Sequence, residues 1–171
     1  METGIRLTDL DGGTETYRTQ STYFVKGVYN DTAASGSEYL LMKGIYLVEQ
    51  FDFENGSPVS GSRSTHAFPL KPADAPLPVD GARWDTEVLS LSGGEVLSER
   101  ESYIFGPLTE ITLGGCSYDM NPIITIYHDE DGYEEKLHYL PELGFAYLVE
   151  IKERNKPADR FTYTRIESVQ N

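Results

Sequence analysis

Cysteine is almost missing from this chain, with Cys116 the single thiol among 171 residues. An intramolecular disulfide framework and dithiol redox chemistry are both excluded by that count. Basic residues are scarce too, 14 Lys and Arg against 28 Asp and Glu, for a formal charge of -14. A surface of that sign repels a phosphate backbone, so neither nucleic acid nor an anionic membrane is an expected partner. No apolar run approaches the roughly 18 residues of a membrane-spanning helix, so no integral membrane segment is expected. The opening residues Met1 to Arg6 show neither the basic nor the apolar region of a signal peptide. Amphipathic helical periodicity is lacking throughout. So are a Gly-x-Ser-x-Gly elbow, a His-Glu-x-x-His pair, a phosphate loop and a dinucleotide fingerprint, which leaves no catalytic residue to name and no cofactor to expect.

What the chain does have is strand signal. Tyr is abundant at 12 residues, and it is joined by many Val, Ile, Thr and Phe, the types that suit a pleated, half-buried surface. Ser21 to Tyr29 reads as a strand closed by the turn-formers Asn30, Asp31 and Thr32. Tyr39 to Phe53 reads as one long strand whose two faces, Ile45, Leu47, Phe51 and Phe53 against Leu40, Met42, Tyr46 and Val48, both need cover. Its Lys43-Gly44 echoes Lys26-Gly27, which suggests two neighbouring strands, each bending at its Gly. Hairpins are expected from Arg83 to Phe105 across Ser92-Gly93-Gly94 and from Thr109 to His128 across Gly114-Gly115. Tyr133 to Leu140, Phe145 to Ile151 and Arg160 to Val169 follow as strands. Between them, Ser57 to Gly81 is rich in Ser, Gly and Pro and lacks period-two alternation. It is expected to be an irregular flap, packed by Phe68, Leu70 and Leu77 and contributing no paired strand. The reading is one all-β domain over residues 1–171, an antiparallel meander of about nine strands.

The run Tyr139-Leu140-Pro141-Glu142-Leu143-Gly144 is a turn between strands, with Pro141 fixing φ and Gly144 expected at positive φ. Together with Gly106 to Tyr118 it resembles a group of exported bacterial all-β proteins of unknown function that carry a Tyr-x-Pro-Glu-Leu-Gly turn near the C-terminus. The likeness spans roughly residues 82–169. Where many of those relatives read Gly-Thr-Phe, this chain has Gly115-Cys116-Ser117-Tyr118. The resemblance implies a curved sheet or half-barrel in the periplasm or envelope, with no established activity and no catalytic residues.

Candidate chemistry is sparse. Cys116 with His66, His128 or His138 as base would meet the requirement of thiol catalysis, yet a buried or half-buried structural thiol is the preferred reading. His128 and His138 lie at different distances from the Asp131-Gly132 turn, which argues against their pairing. Asp129 and Asp131 are weak candidates for a hard cation, since carboxylates crowd around Gly132, but a hydrophilic hairpin tip explains them as well. Lys152, Arg154, Lys156, Arg160 and Arg165 form a basic cluster that reads as a solvated face. The tyrosines and Trp84 offer the lining of a groove for a lipid, sugar or peptide. The leading expectation is thus a non-enzymatic exported or envelope β-protein that binds an apolar small molecule or an envelope protein on its curved sheet. A hydrolase or transferase with scattered carboxylate and His residues, and a structural or assembly module acting through a sheet edge, are the alternatives.

Overall fold

The computed structural model describes residues 3–128 and 132–170. Alternation of apolar and polar residues with a turn former every few positions gives β1 (Thr3–Asp9), β2 (Thr14–Thr19), β3 (Phe24–Asn30), β4 (Ser35–Met42) and β5 (Tyr46–Glu54). Two short strands, β6 (Ser57–Pro58) and β7 (Ser64–Ala67), precede a 3-10 turn at Pro72–Asp74. Then come β8 (Arg83–Ser92), β9 (Glu95–Phe105), β10 (Thr109–Leu113), β11 (Cys116–Tyr127), β12 (Glu134–Leu140) and β13 (Phe145–Lys152). The chain closes with β14 (Asp159–Arg160) and β15 (Tyr163–Gln170). All pair antiparallel in one 15-stranded sheet in the order β14-β13-β12-β11-β9-β8-β7-β5-β4-β3-β2-β1-β15, with β10 alongside β11 and β6 alongside β5.

The all-β antiparallel class therefore holds, but the expected count of about nine strands is corrected to 15 among the described residues. One source of the excess is the supposed long strand Tyr39 to Phe53. It is a hairpin whose turn residues Lys43 and Gly44 both take positive φ, 55° and 69°, the signature of a primed two-residue turn. The Lys-Gly echo consequently has two different causes. Gly27 lies within β3, where a Cβ would run into the Tyr39 ring at 2.0 Å, so it makes room for a cross-strand aromatic; Gly44 makes a turn. A second source is β1, which pairs with β15 and brings the two ends of the chain side by side.

The segment 57–81 differs from expectation as well. It supplies β6 and β7, and β7 bridges β5 and β8, joining the two halves of the sheet. The polar run Ser64 to His66 hid this strand, because a bridging strand needs backbone groups more than apolar alternation. The packing role survives in part. Phe68 and Leu70 pack on the core and Ala75 is buried, whereas Leu77 stands 47% exposed.

The sheet curls until strands distant in its order meet. Tyr17 of β2 stacks on Phe145 of β13 at 3.9 Å between ring centroids, and Tyr147 of β13 meets Tyr163 of β15 edge-on at 5.2 Å. The β4-β5 turn docks on the β12-β13 turn, where Ala146 N donates to Gly44 O at 2.7 Å. Val48 and Val149 are extra residues opposite the Leu40/Leu41 and Lys136/Leu137 steps, and these bulges help β5 and β13 to bend. Among the described residues no ladder joins β14 to β15, so the sheet is not closed. Gly144 takes the positive φ its turn calls for, 74°, and Leu143 beside it packs on the core.

Two clusters fill the interior. One gathers Leu7, Tyr17, Leu41, Leu113, Met120, Leu140 and Phe145, with Leu113 and Met120 delivered by the β10-β11 hairpin. The other joins Met42, Ile45, Tyr46, Tyr103, Phe105 and Ile123, and segment 57–81 adds Phe68 and Leu70. Leu47 packs on the first cluster and its neighbours Tyr46 and Val48 on the second, so both faces are covered at the start of β5, while Phe51 and Phe53 join neither cluster.

Candidate functional site

Strand alternation sends every second residue of β2, β9, β11 and β12 inward. Most of these residues are apolar, but three are glutamates: Glu15, Glu101 and Glu135. Glu15 and Glu135 border a cavity of about 190 Å³ between the two clusters, and Glu101 lies behind its wall, opposite Tyr127 and bonded to Tyr103. Its wall is apolar over Leu41, Ile45, Leu47, Leu137, Ala146 and Leu148, and polar at two places.

At the first, Glu15 accepts from Tyr39 Oη on one carboxylate oxygen and from Tyr163 Oη on the other, the latter at 2.8 Å. Burial pushes the Glu15 carboxyl above its ordinary value, while the tyrosine hydrogen bonds and that of Tyr17 pull it back. Glu15 in turn raises the phenols of Tyr17 and Tyr39, adding to the dominant effect of their own burial.

At the second, cross-strand register builds a compact patch. Thr125 on β11 lies directly opposite Glu135 of β12 on one side and Tyr103 of β9 on the other. Two residues further along, Tyr127 lies opposite Glu101. Glu135 accepts from Tyr127 Oη at 3.1 Å and from Tyr133 Oη at 3.2 Å. Glu101 accepts from Tyr103 Oη at 2.5 Å. Burial raises both carboxyls, Glu101 to about 7, helped there by the neighbouring Glu99 and Glu135 charges. The Thr125 hydroxyl, in a residue 1% exposed, has no hydrogen-bond partner, and neither does that of Thr86, which lies opposite Glu101. Among the described residues, no salt bridge reaches Glu15, Glu101 or Glu135.

The residues singled out from the sequence lie elsewhere. Cys116 is exposed at the start of β11, so the buried or half-buried thiol is corrected: it follows directly on Gly115, which has open space around it. The three histidines are not brought together. His66 contacts Ser64 and Ser90, His128 contacts Ser102, and His138 contacts Tyr147 at 3.3 Å. His138 lies opposite Pro122, well along β11 from His128, and burial lowers its pKa to about 4. Asp129 and Asp131 lie outside the described residues. Three of the five basic-cluster residues pair with near neighbours: Lys156 with Glu153, Arg160 with Glu150 and Arg165 with Glu167. Trp84 is a core residue, stacked on Tyr103 and Phe68 and met edge-on by Tyr46.

One constellation resembles a nucleophile with its base. Ser102 Oγ lies 2.7 Å from His128 Nε2, with Asp85 and Arg83 alongside. Its protons, however, are already placed. Ser102 donates its single hydrogen to Asp85 and accepts from Arg83 Nη2 at 2.8 Å, so His128 must donate into the remaining lone pair. With its proton held by a carboxylate and its oxygen fully buried, the hydroxyl ties two strands together instead of facing a substrate.

The chain matches no described protein family, and no curated protein is similar to it in sequence. Among solved structures it is similar to that of the hypothetical lipoprotein YmcC from Escherichia coli, with a TM-score of 0.51 at 12% identity over 96% of this chain and 84% of that one. At that identity the likeness is one of fold alone.

Proposed function

We propose that this protein is a single-domain, non-enzymatic β-protein of the bacterial envelope that holds a small molecule with an apolar body in the cavity between its two core clusters. The observation that carries the reading is the cavity itself, about 190 Å³ walled by leucine, isoleucine and alanine side chains and ended by tyrosine-held carboxylates. A packed core leaves few voids larger than a water molecule, and an engineered apolar cavity of about 150 Å³ accepts benzene. A ring with one short substituent is therefore the right scale of ligand. The envelope location is supported by the fold shared with a hypothetical lipoprotein and by the turn at Tyr139 to Gly144. It is checked by fractionating cells that express the full gene product, and recovery in the cytosol would overturn it.

The cavity is tested with benzyl alcohol as the probe. Saturable amide shifts in Tyr17, Leu137 and Leu148 are expected by NMR, and they should vanish in Leu148→Trp, whose indole fills the space. Shifts of the same size in that variant would place the probe on the surface and end the reading.

An envelope partner is a second reading, carried by the β8-β9 hairpin. There Leu89, Leu91 and Val96 are all exposed, and Leu91 pairs with Val96 on one face. Aspartates at Leu91 and Val96 should abolish any copurifying envelope protein without shifting the benzyl alcohol response.

A further inference from the structure

Resting on that cavity reading, we infer that the ligand class is a small organic cation, a primary ammonium on an apolar body, with its charge seated between Glu135 and the Thr125 hydroxyl. Two observations independent of each other point there. The first is the carboxylates themselves. Glu101 and Glu135 face the same interior from strands β9 and β12 that flank β11, with tyrosine hydroxyls as their hydrogen-bond donors and no salt bridge to either among the described residues. Buried charges are ordinarily paired. The second is the orphaned hydroxyl of Thr125, fully enclosed, on the cavity wall, and directly opposite Glu135 across the ladder. An unmet buried hydroxyl is costly to leave so.

An ammonium answers both requirements. It brings three donors and no acceptor, so one N–H can meet Glu135, a second Thr125 Oγ1, and its charge compensates the nearby Glu101. The Tyr103 and Tyr127 rings border the same place. A carboxylate or phosphate ligand would meet like charge here. A neutral alcohol would satisfy Thr125 but leave both acids uncompensated.

The seat is at Glu135 and not at Glu15, although both border the cavity. Each Glu15 oxygen is held by a tyrosine, Tyr163 at 2.8 Å and Tyr39 closer still. The Glu135 bonds are longer, 3.1 and 3.2 Å, and spare lone pairs remain. The apolar body then extends along Leu137 and Leu148.

The test compares isosteres on the intact chain: benzylamine, benzyl alcohol and benzoate, titrated by calorimetry at about pH 8, where the amine is charged. Benzylamine should bind at least about tenfold more tightly than benzyl alcohol, the difference a charge-assisted hydrogen bond supplies, and benzoate should not bind. Glu135→Gln should bring the amine and the alcohol to equal affinity while benzyl alcohol binding persists, which shows that the variant is folded. If Glu135→Gln does not fold, Thr125→Val takes its place and should lower the amine preference several-fold. Equal binding of amine and alcohol by the native protein would overturn the cation and leave the cavity reading standing. A preference that survives in both variants would overturn the seat. Binding of none of the three probes would remove the cavity reading and the cation together.

Discussion

The two ends of the interior use the same residue type for opposite purposes. Around Tyr46 the aromatics are packing material: Tyr46 meets Phe68 at 5.7 Å, Trp84 at 5.1 Å and Tyr103 at 4.8 Å, all edge-on, and its hydroxyl donates to Pro76 O of the covering segment at 2.7 Å. Around the cavity the rings of Tyr39, Tyr127 and Tyr163 serve chiefly as donors that hold carboxylates. A well-filled end and an under-filled, acid-lined end in one sheet imply that stability concentrates at the first and binding at the second, since sites that await a ligand are drawn from the less stable parts of a fold. The comparison is broken or upheld by truncation. Tyr46→Ala removes a side chain with no exposed surface and should cost about 3–5 kcal/mol in urea unfolding. Leu148→Ala, on a wall that already faces empty space, should cost less than about half as much, because fewer contacts are lost. Equal costs would mean that the cavity end is as tightly built as the aromatic end.

The next effect in size concerns charge, and its sign distinguishes the two ends. Burial, opposed by the Tyr103 hydrogen bond and reinforced by Glu99 and Glu135, lifts the Glu101 carboxyl from an ordinary 4.5 to about 7. The folded state thus holds a proton that the unfolded chain has released. The contribution is fully favourable below about pH 4.5 and is lost as pH rises through about 7, by at most about 3 kcal/mol. Glu101→Gln, which keeps an acceptor for Tyr103 Oη, should therefore be more stable than the native chain at about pH 8 and nearly equal to it at about pH 5. Parallel stability profiles for the two proteins would show that Glu101 keeps an ordinary pKa and that the cavity end carries no charge strain.

Much of the strand frame was legible in the sequence. Alternation placed the β8-β9 and β10-β11 hairpins and strands β12 and β13 within a residue or so, because Gly93-Gly94, Gly114-Gly115 and the Pro141 to Gly144 turn marked their ends. The cavity was not. Its signal was a glutamate two residues from a tyrosine on one strand, as in Glu15 with Tyr17 and Glu101 with Tyr103, which puts acid and ring on the same face. A glutamate in an alternating strand is ordinarily assigned to the solvent face, and Glu135 beside Glu134 gave no reason to choose between faces. Which face is inner depends on how far the sheet curls. That is set by long-range contacts such as Tyr17 on Phe145, which no local pattern carries. The bridge β7 was hidden for a related reason, since its role lies in ladders to β5 and β8.

The smallest effect lies in the segment that closes the aromatic end. Residues 57–81 combine a laddered piece, Ser64–Ala67, with a piece after the Pro72–Asp74 turn that contributes no strand. Only part of the segment shares the stability of the end it covers. Phe68 packs into the cluster around Tyr46, but Leu77 is 47% exposed. Leu77→Ser should therefore change stability by less than about 0.5 kcal/mol, the range of an ordinary surface substitution. Phe68→Ser, which removes a ring stacked over Trp84 at 6.0 Å, should cost several times more. Hydrogen exchange should divide the segment in the same way. Amides of 64–67, hydrogen-bonded between two strands, should exchange slowly, and those of 77–80 quickly, because local opening there breaks few bonds. Uniformly fast exchange across 57–81 would mean that β7 does not bridge the sheet. The well-packed end would then lose the strand that ties its two halves together.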